Sequence, residues 1–156
     1  MDKTNAMRIL DKEGISYKIY EVDPQLIKDG ESHAILLNKD KGEVFKTLVT
    51  KGKSGEYYVF MVSVGKSLDL KKCAKSVNEK EIEMIEQKKL FPLTGYVHLG
   101  CSPLGMKKQF KTVIDEEAIL YDTIIFSGGR IGLSLELKRE DLEKVIPIEY
   151  FDISRE

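Results

Sequence analysis

Gly100, Cys101, Ser102, Pro103, Leu104 and Gly105 put two glycines and a proline into six residues, a make-up that excludes the interior of a helix or strand. Glycine permits positive φ and close approach of another molecule to the backbone, while proline fixes φ and removes one donor. A turn of this kind can leave the N–H groups of Gly100, Cys101 and Ser102 free to face an anionic or carbonyl oxygen. Lys107, Lys108 and Lys111 follow it directly, and Ser127, Gly128, Gly129 and Arg130 form a second glycine turn. The other residue that stands out is Lys46, inside the apolar run Val44 to Val49. Such a lysine either sits on the solvent face of an alternating strand or holds an ammonium at the mouth of a pocket, for an anionic or oxygen-rich ligand.

The remaining reactive side chains give weaker signals. Cys101 could be a nucleophile exposed by its turn, or a small wall residue. His98 lies near the loop but has no paired acid at a recognisable spacing, so it reads as a strand histidine; His33 is no better placed. Two histidines and two cysteines, widely separated, lack metal-ligand spacing, so no metal is expected. The glycine turns match neither a P-loop nor a dinucleotide fingerprint, and no cofactor is expected.

The elements that must position these residues follow from periodicity and end signals. Thr4 caps a helix through Ala6, Met7, Ile9 and Leu10 that stops at Gly14. Tyr17 to Val22 alternates as a strand, ended by Asp23 and Pro24. Residues 25–43 are polar and ambiguous, with Ser32 a possible cap for a short helix through Ala34, Ile35 and Leu37. Val44–Val49 and Glu56–Val64 are strands joined by a hairpin-like loop at 51–55. Ser67 or Asp69 opens a helix carrying Leu70, Cys73, Ala74 and Val77, and Glu79–Lys88 is expected as a second, strongly charged helix, with a loop at 91–95. Strands are expected at Thr112–Asp115, Thr123–Phe126, Ile131–Leu137 and Ile148–Ile153, with a short helix at Arg139–Val145.

At 156 residues the chain is one domain, and 42% apolar with 33% charged residues is the balance of a soluble globular protein. No apolar run approaches the ~20 residues that span a bilayer, nor does the N-terminus resemble a signal peptide. Two cysteines give no disulfide framework and fit a reducing cytoplasm. The net charge of −1 supplies no global pull toward nucleic acid, so a tRNA or DNA partner needs a local patch.

One ordered series carries a resemblance. It comprises Tyr20; Val44, Phe45, Lys46, Thr47 and Leu48; Leu68 to Lys72; Gly95 and Tyr96; Gly100 to Gly105 with Lys107 and Lys108; and Val113, Ile114 and Asp115. Ser127, Gly128 and Gly129 with Gly132 and Leu133, then Glu136 and Leu137 before Asp141 and Leu142, complete it. In order and spacing this resembles the YbaK/EbsC family of prolyl-tRNA synthetase-associated editing domains, over about residues 4–153 and nearest its YbaK branch.

The resemblance implies an α+β fold, a mixed, partly open β-barrel flanked by helices, and an aminoacyl-tRNA deacylase acting in the cytoplasm on cysteine misattached to tRNA(Pro). A relative clearing alanine, or a non-catalytic binding module of the same fold, are the alternatives. It implies that Lys46 is the active-site lysine, with Gly100, Cys101 and Ser102 in the loop that meets the aminoacyl end. Tyr20, Pro103, Ser127, Gly128 and Ser134 would touch the substrate. Lys71, Lys72, Lys107, Lys108 and Arg130 would form a phosphate-binding rim, the alternative being scattered surface cations. It also implies that the substrate thiol can attack its own ester, which leaves hydrolase and lyase classes both open. The partners expected are the aminoacylated tRNA 3′ end and prolyl-tRNA synthetase, with no membrane and no DNA. With no separate tRNA-reading module in view, tRNA selectivity is expected to be weak. Three departures bear on amino-acid preference: Leu99 where the family loop has another glycine, Ser134 where many members carry an acid or amide, and Asp29 where a large apolar residue can stand.

Overall fold

The computed structural model describes residues 2–156. Helix α1 (Asn5–Lys12) starts where expected: the Thr4 hydroxyl accepts the Met7 N–H at 3.3 Å, and Ala6, Met7 and Leu10 form its buried face. Strand β1 (Lys18–Glu21) follows. Helix α2 (Gly30–Leu37) resolves the ambiguous polar stretch, with a correction to its cap. Asp29, not Ser32, is the N-cap; its carboxylate takes the Ser32 N–H at 2.8 Å, while the Ser32 hydroxyl accepts the Asp29 N–H at 3.1 Å. The cap turns α2 so that Ala34 is buried while Ile35 is 71% exposed.

Strands β2 (Phe45–Gly52) and β3 (Tyr57–Ser63) form the expected antiparallel hairpin, with Lys46 opposite Val62. The two-residue strand β4 (Ser67–Leu68) leads to helix α3 (Leu70–Ser76), capped by Asp69 through the Lys71 and Lys72 N–H groups. The expected charged helix at Glu79–Lys88 does not form. Ile82–Met84 is instead a short strand, β5, paired with Thr50–Gly52 of β2. The Glu79 carboxylate is drawn to Tyr58 (2.6 Å) and to Ser54, contacts a continuous helix would forfeit. Residues expected as loop form helix α4 (Leu90–Thr94), closed by Gly95 at φ 86°.

The remaining elements are β6 (Lys111–Asp115), β7 (Thr123–Ser127), β8 (Leu133–Lys138), α5 (Arg139–Glu143), β9 (Ile148–Phe151) and β10 (Ser154–Arg155). Five strands form a mixed sheet in the order β5-β2-β3-β6-β9, in which β3–β6 and β6–β9 are parallel. Three more form an antiparallel sheet, β1-β8-β7, and β10 pairs with β4. The larger sheets meet along β2 and β7, where Val44 bridges Ile125. This is the expected α+β fold with a barrel left open. Phe45, Met61, Ile114, Phe126, Leu133 and Leu135 fill the space between the sheets against the buried face of α1.

Where the open side falls is set by pairing. Strand β5 covers β2 only from Thr50 onward and β7 meets it only at the Val44–Ile125 bridge, so the edge between them, at residues 46–48, is left without a paired strand. That edge borders the site.

Candidate active site

A cleft of about 270 Å³ opens along the uncovered edge of β2. Phe45, Lys46, Thr47 and Leu48 line one side, Asp29 and His33 of α2 another, His98, Leu99 and Cys101 a third, and Phe126, Ser127 and Ser134 the floor between β7 and β8. Because the cleft faces a strand edge rather than one face, consecutive side chains of β2 reach it, and Lys46 and Thr47 are both available.

Lys46 is half-buried and has no ion pair among the described residues. Burial pushes its ammonium below the ordinary lysine range, and the carboxylates of Glu31 and Asp29 oppose that shift. Of the two readings open from sequence, the pocket-mouth position is the observed one. Beside it, Thr47 Oγ1 is buried without any hydrogen-bond partner. An orphaned buried hydroxyl costs about 1–3 kcal/mol, and this oxygen is closed to solvent although Thr47 borders the cleft. The sequence marked Thr47 only as a member of the strand motif around Lys46 and gave it no role of its own.

The two glycine bends touch. A Cβ on Gly100 would lie 2.9 Å from the Ile131 nitrogen and 3.1 Å from the Arg130 Cα, so only glycine admits this approach. The Gly100 N–H is taken by Val97 O at 2.9 Å, which removes it from the expected donor set. The Cys101 and Ser102 N–H groups are not hydrogen-bonded among the described residues. Cys101 borders the cleft, whereas Ser102 and Pro103 are buried behind it; the Ser102 hydroxyl accepts the Leu104 N–H at 3.3 Å and shapes the bend from inside. The Cys101 thiol is pushed up to about 12 by burial and stays protonated near neutral pH, which favours the wall reading over the nucleophile. Leu99 adopts φ 67°, the left-handed region that glycine favours, at the position where the family loop has a second glycine.

Ser127 lies on the floor, and Gly128 closes the second bend by donating its N–H to Leu133 O at 2.9 Å without lining the cleft. Ser134 does line it, and its hydroxyl is 3.2 Å from His33 Nε2. Burial holds His33 below the ordinary histidine range, so the imidazole is neutral near pH 7. His33 is on a helix and His98 in a turn, so neither is a strand histidine, and both border the cleft.

Tyr20 does not line the cleft as expected. It pairs with Ser134 across β1 and β8, which puts its hydroxyl within reach of Glu136 two residues along the same face, and it donates there. That bond raises the phenol above its usual range. Burial alone would raise Glu136, but hydrogen bonds from Thr123 (2.6 Å) and Tyr20, with Lys39 nearby, hold it below the usual carboxylate range.

The expected cationic rim is not continuous. Lys72 is held by Asp152 and the Ser154 carbonyl, and Lys107 lies over the Phe91 ring and donates to Pro92 O. Arg130 is held by Glu21 and the Asp2 carbonyl, and Lys108 lies by the β2–β3 hairpin, beside Gln109 and Tyr57. In each tethered case the partner is distant in sequence. Lys71 alone of the five stands beside the cleft, in an adjoining groove that shares Lys46. Among the described residues no cluster of His, Cys, Asp and Glu could hold a metal ion, and no helix is long and apolar enough to cross a membrane.

Comparison with known proteins identifies the family of the chain. A family model described as "Aminoacyl-tRNA editing domain" matches residues 26–145, which include both glycine bends and Lys46. The chain is 41% identical over 155 residues to an Enterococcus faecalis protein named "Putative Cys-tRNA(Pro)/Cys-tRNA(Cys) deacylase EbsC", covering 97% of this chain and 93% of that one. The fold superposes on a "putative trans-editing enzyme for prolyl tRNA synthetase" with a TM-score of 0.86 at 22% identity, covering 100% of both chains. It also superposes on the "hypothetical protein APE2540" with a TM-score of 0.88 at 18% identity, over 97% of this chain and 100% of that one. The chain belongs to the aminoacyl-tRNA editing domain family, in agreement with its motif resemblance to YbaK and EbsC.

Proposed function

We propose that this protein is a cytoplasmic, trans-acting deacylase that cleaves the ester between an amino acid and the 3′-terminal ribose of tRNA, with cysteine on tRNA(Pro) as substrate. The observation that carries the reading is that one small cleft is lined both by Lys46, half-buried and unpaired, and by Cys101, whose N–H has no partner among the described residues. The name of the 41% identical relative supports cysteine as the amino acid.

The bond is an activated ester, so the protein need not supply a strong nucleophile. Lys46 would hold oxygens of the terminal ribose and its phosphate, an interaction strengthened by partial desolvation. A water oxygen adds to the ester carbonyl carbon, and the carbonyl oxygen gains negative charge facing the Cys101 N–H. Collapse breaks the bond to the ribose oxygen, which takes up a proton, releasing free amino acid and tRNA. One aligned donor at a developing oxyanion is worth roughly 10²–10³ in rate. For cysteine a second route has the same start and end points. The substrate sulfur bonds to the carbonyl carbon, its proton passes to the departing ribose oxygen, and water later opens the released thiolactone. His33 and Ser134 would give this apolar cleft one polar wall against the thiol. Alanine would fit the same cleft without offering that contact, which makes it the poorer substrate. We further propose that association with prolyl-tRNA synthetase supplies the choice of tRNA.

Deacylation of Cys-, Ala- and Pro-tRNA(Pro) by the wild type and Lys46→Ala tests the reading. Cys-tRNA(Pro) should be cleared fastest, and the variant should lose at least ~100-fold while unfolding at an unchanged temperature. Wild-type rates in Lys46→Ala would refute it. Free thiolactone trapped from the reaction would select the thiol route over direct hydrolysis.

A further inference from the structure

Next to the cleft, and sharing Lys46 and Leu48 with it, runs a groove of about 660 Å³ between β2, β4, α3, β5 and β10. Its two other cations, Lys71 and Arg155, make no ion pair among the described residues, unlike Lys72, Lys66 and Arg130 on the same molecule. The groove has one carboxylate, Asp69, and that is engaged in capping α3 through the Lys71 and Lys72 N–H groups. Leu70 and Met84 border it with 38% and 44% of their surface exposed. Two free cations with exposed apolar side chains between them form a surface for a strand of alternating charge and flat apolar groups. Single-stranded nucleic acid has that character, phosphates along one side and bases along the other.

We propose that this groove is the binding track for the single-stranded nucleotides immediately upstream of the aminoacylated ribose. Lys71 and Arg155 hold their phosphates, and Leu70 and Met84 lie under a base. The inference rests on the deacylase reading for its direction: a chain whose terminal ribose lies at Lys46 leaves the cleft past that residue and enters the groove. Arg155 was invisible to sequence reasoning, since it reaches the groove only because β10 pairs with β4, placing Arg155 opposite Ser67. The other basic residues of the expected rim are each committed to a partner or remote from Lys46.

The test is binding, so that it does not depend on turnover. The probe is an RNA hairpin of acceptor-stem sequence carrying the 3′ single-stranded overhang, compared with the same hairpin made blunt, by fluorescence anisotropy across a salt series. Lys71→Ala and Arg155→Ala should each weaken overhang binding roughly 3- to 10-fold, and the double variant should lower the log–log salt slope by about 1.4, at ~0.7 per single-strand phosphate. Met84→Ala should weaken the overhang hairpin further, and Lys108→Ala should leave its affinity at the wild-type value. An unchanged affinity and slope in the double variant would overturn the track, even with deacylation intact and Lys46-dependent. Loss of overhang binding in the double variant would support it, even if the wild type cleaved no cysteinyl ester; that second result would sink the deacylase reading alone.

Discussion

Gly100→Ala is the sharpest perturbation of the site, because the methyl group would enter the contact between the two glycine bends. The new carbon would stand 2.9 Å from the Ile131 nitrogen and 3.1 Å from the Arg130 Cα and carbonyl carbon, against 3.4–4 Å for ordinary contact. Those neighbours are backbone and cannot rotate away. Their bend is pinned by Leu133 N–H to Arg130 O at 3.2 Å, Gly128 N–H to Leu133 O at 2.9 Å and the tethers from Arg130 to Glu21 and Asp2. The loop of Gly100 must therefore yield by several tenths of an ångström, against its own bonds from Gly100 to Val97 and from the Tyr96 hydroxyl to Leu104 O. Overpacking of this kind costs about 1–3 kcal/mol, and the lower chain entropy of alanine returns about 0.5–1. With an unfolding entropy near 0.3 kcal/mol/K for a chain of this size, a net loss of about 1–2 kcal/mol lowers Tm by roughly 3–6 °C. The same displacement would move Cys101, whose N–H is the proposed donor to the ester oxygen, and misplacement approaching 1 Å costs up to ~10² in rate. Calorimetry and single-turnover deacylation of Cys-tRNA(Pro) read the two effects separately. An unchanged Tm would mean that the bends are not held in contact. A lowered Tm with an intact rate would mean that the loop places no donor at the ester.

Two further substitutions probe the walls of the site. Leu99→Gly relieves a left-handed backbone at φ 67°, worth about 1–2 kcal/mol, and gives up chain entropy and a half-buried side chain of similar worth, so Tm should barely move. It should instead join the cleft to the neighbouring depression of about 200 Å³ that Leu99 also borders. The expected outcome is faster clearance of larger aminoacyl groups relative to cysteine; an unchanged ratio would show that Leu99 sets no size limit. Tyr20→Phe removes a hydrogen bond that keeps Glu136 ionised and should cost about 1–3 kcal/mol near neutral pH. A carboxylate with a lowered folded pKa contributes stability above its unfolded value, lost as pH falls through the folded one. The gap between variant and wild type should thus be widest above about pH 5 and close in acid, as followed by urea unfolding across pH. A gap that stays constant with pH would assign the loss to packing.

What the sequence made legible was whatever is settled within a few residues. Thr4 and Asp69 are caps because a hydroxyl or carboxylate reaches an N–H three positions on, and β2 and β3 follow from apolar runs around a glycine-rich turn. The same locality misled at Glu79–Lys88. The spacing of Ile82 and Ile85 suits a helix and that of Ile82 and Met84 a strand, and the choice was made by Ser54, Tyr58 and the β2 edge, each more than twenty residues away. Leu90–Thr94 carries Pro92 and no capping side chain, so nothing local announced α4.

The site divides along the same line. Lys46 and the glycine bends are local patterns, and they were found. The His33–Ser134 contact joins residues 101 apart, the Tyr20–Glu136 bond spans 116, and the orphaned Thr47 hydroxyl is defined by what fails to reach it. For the basic residues the fold draws a distinction that the sequence hides. Lys72 and Arg130 look in the sequence like Lys46 and Lys71, but a carboxylate brought in by the fold satisfies each of the first pair. A cation already paired must give up that partner before turning to a phosphate, a cost of at most about 1 kcal/mol for exposed pairs such as these. Lys46, Lys71 and Arg155 carry no such debt, and they are the three cations that border one continuous surface along the open edge of β2.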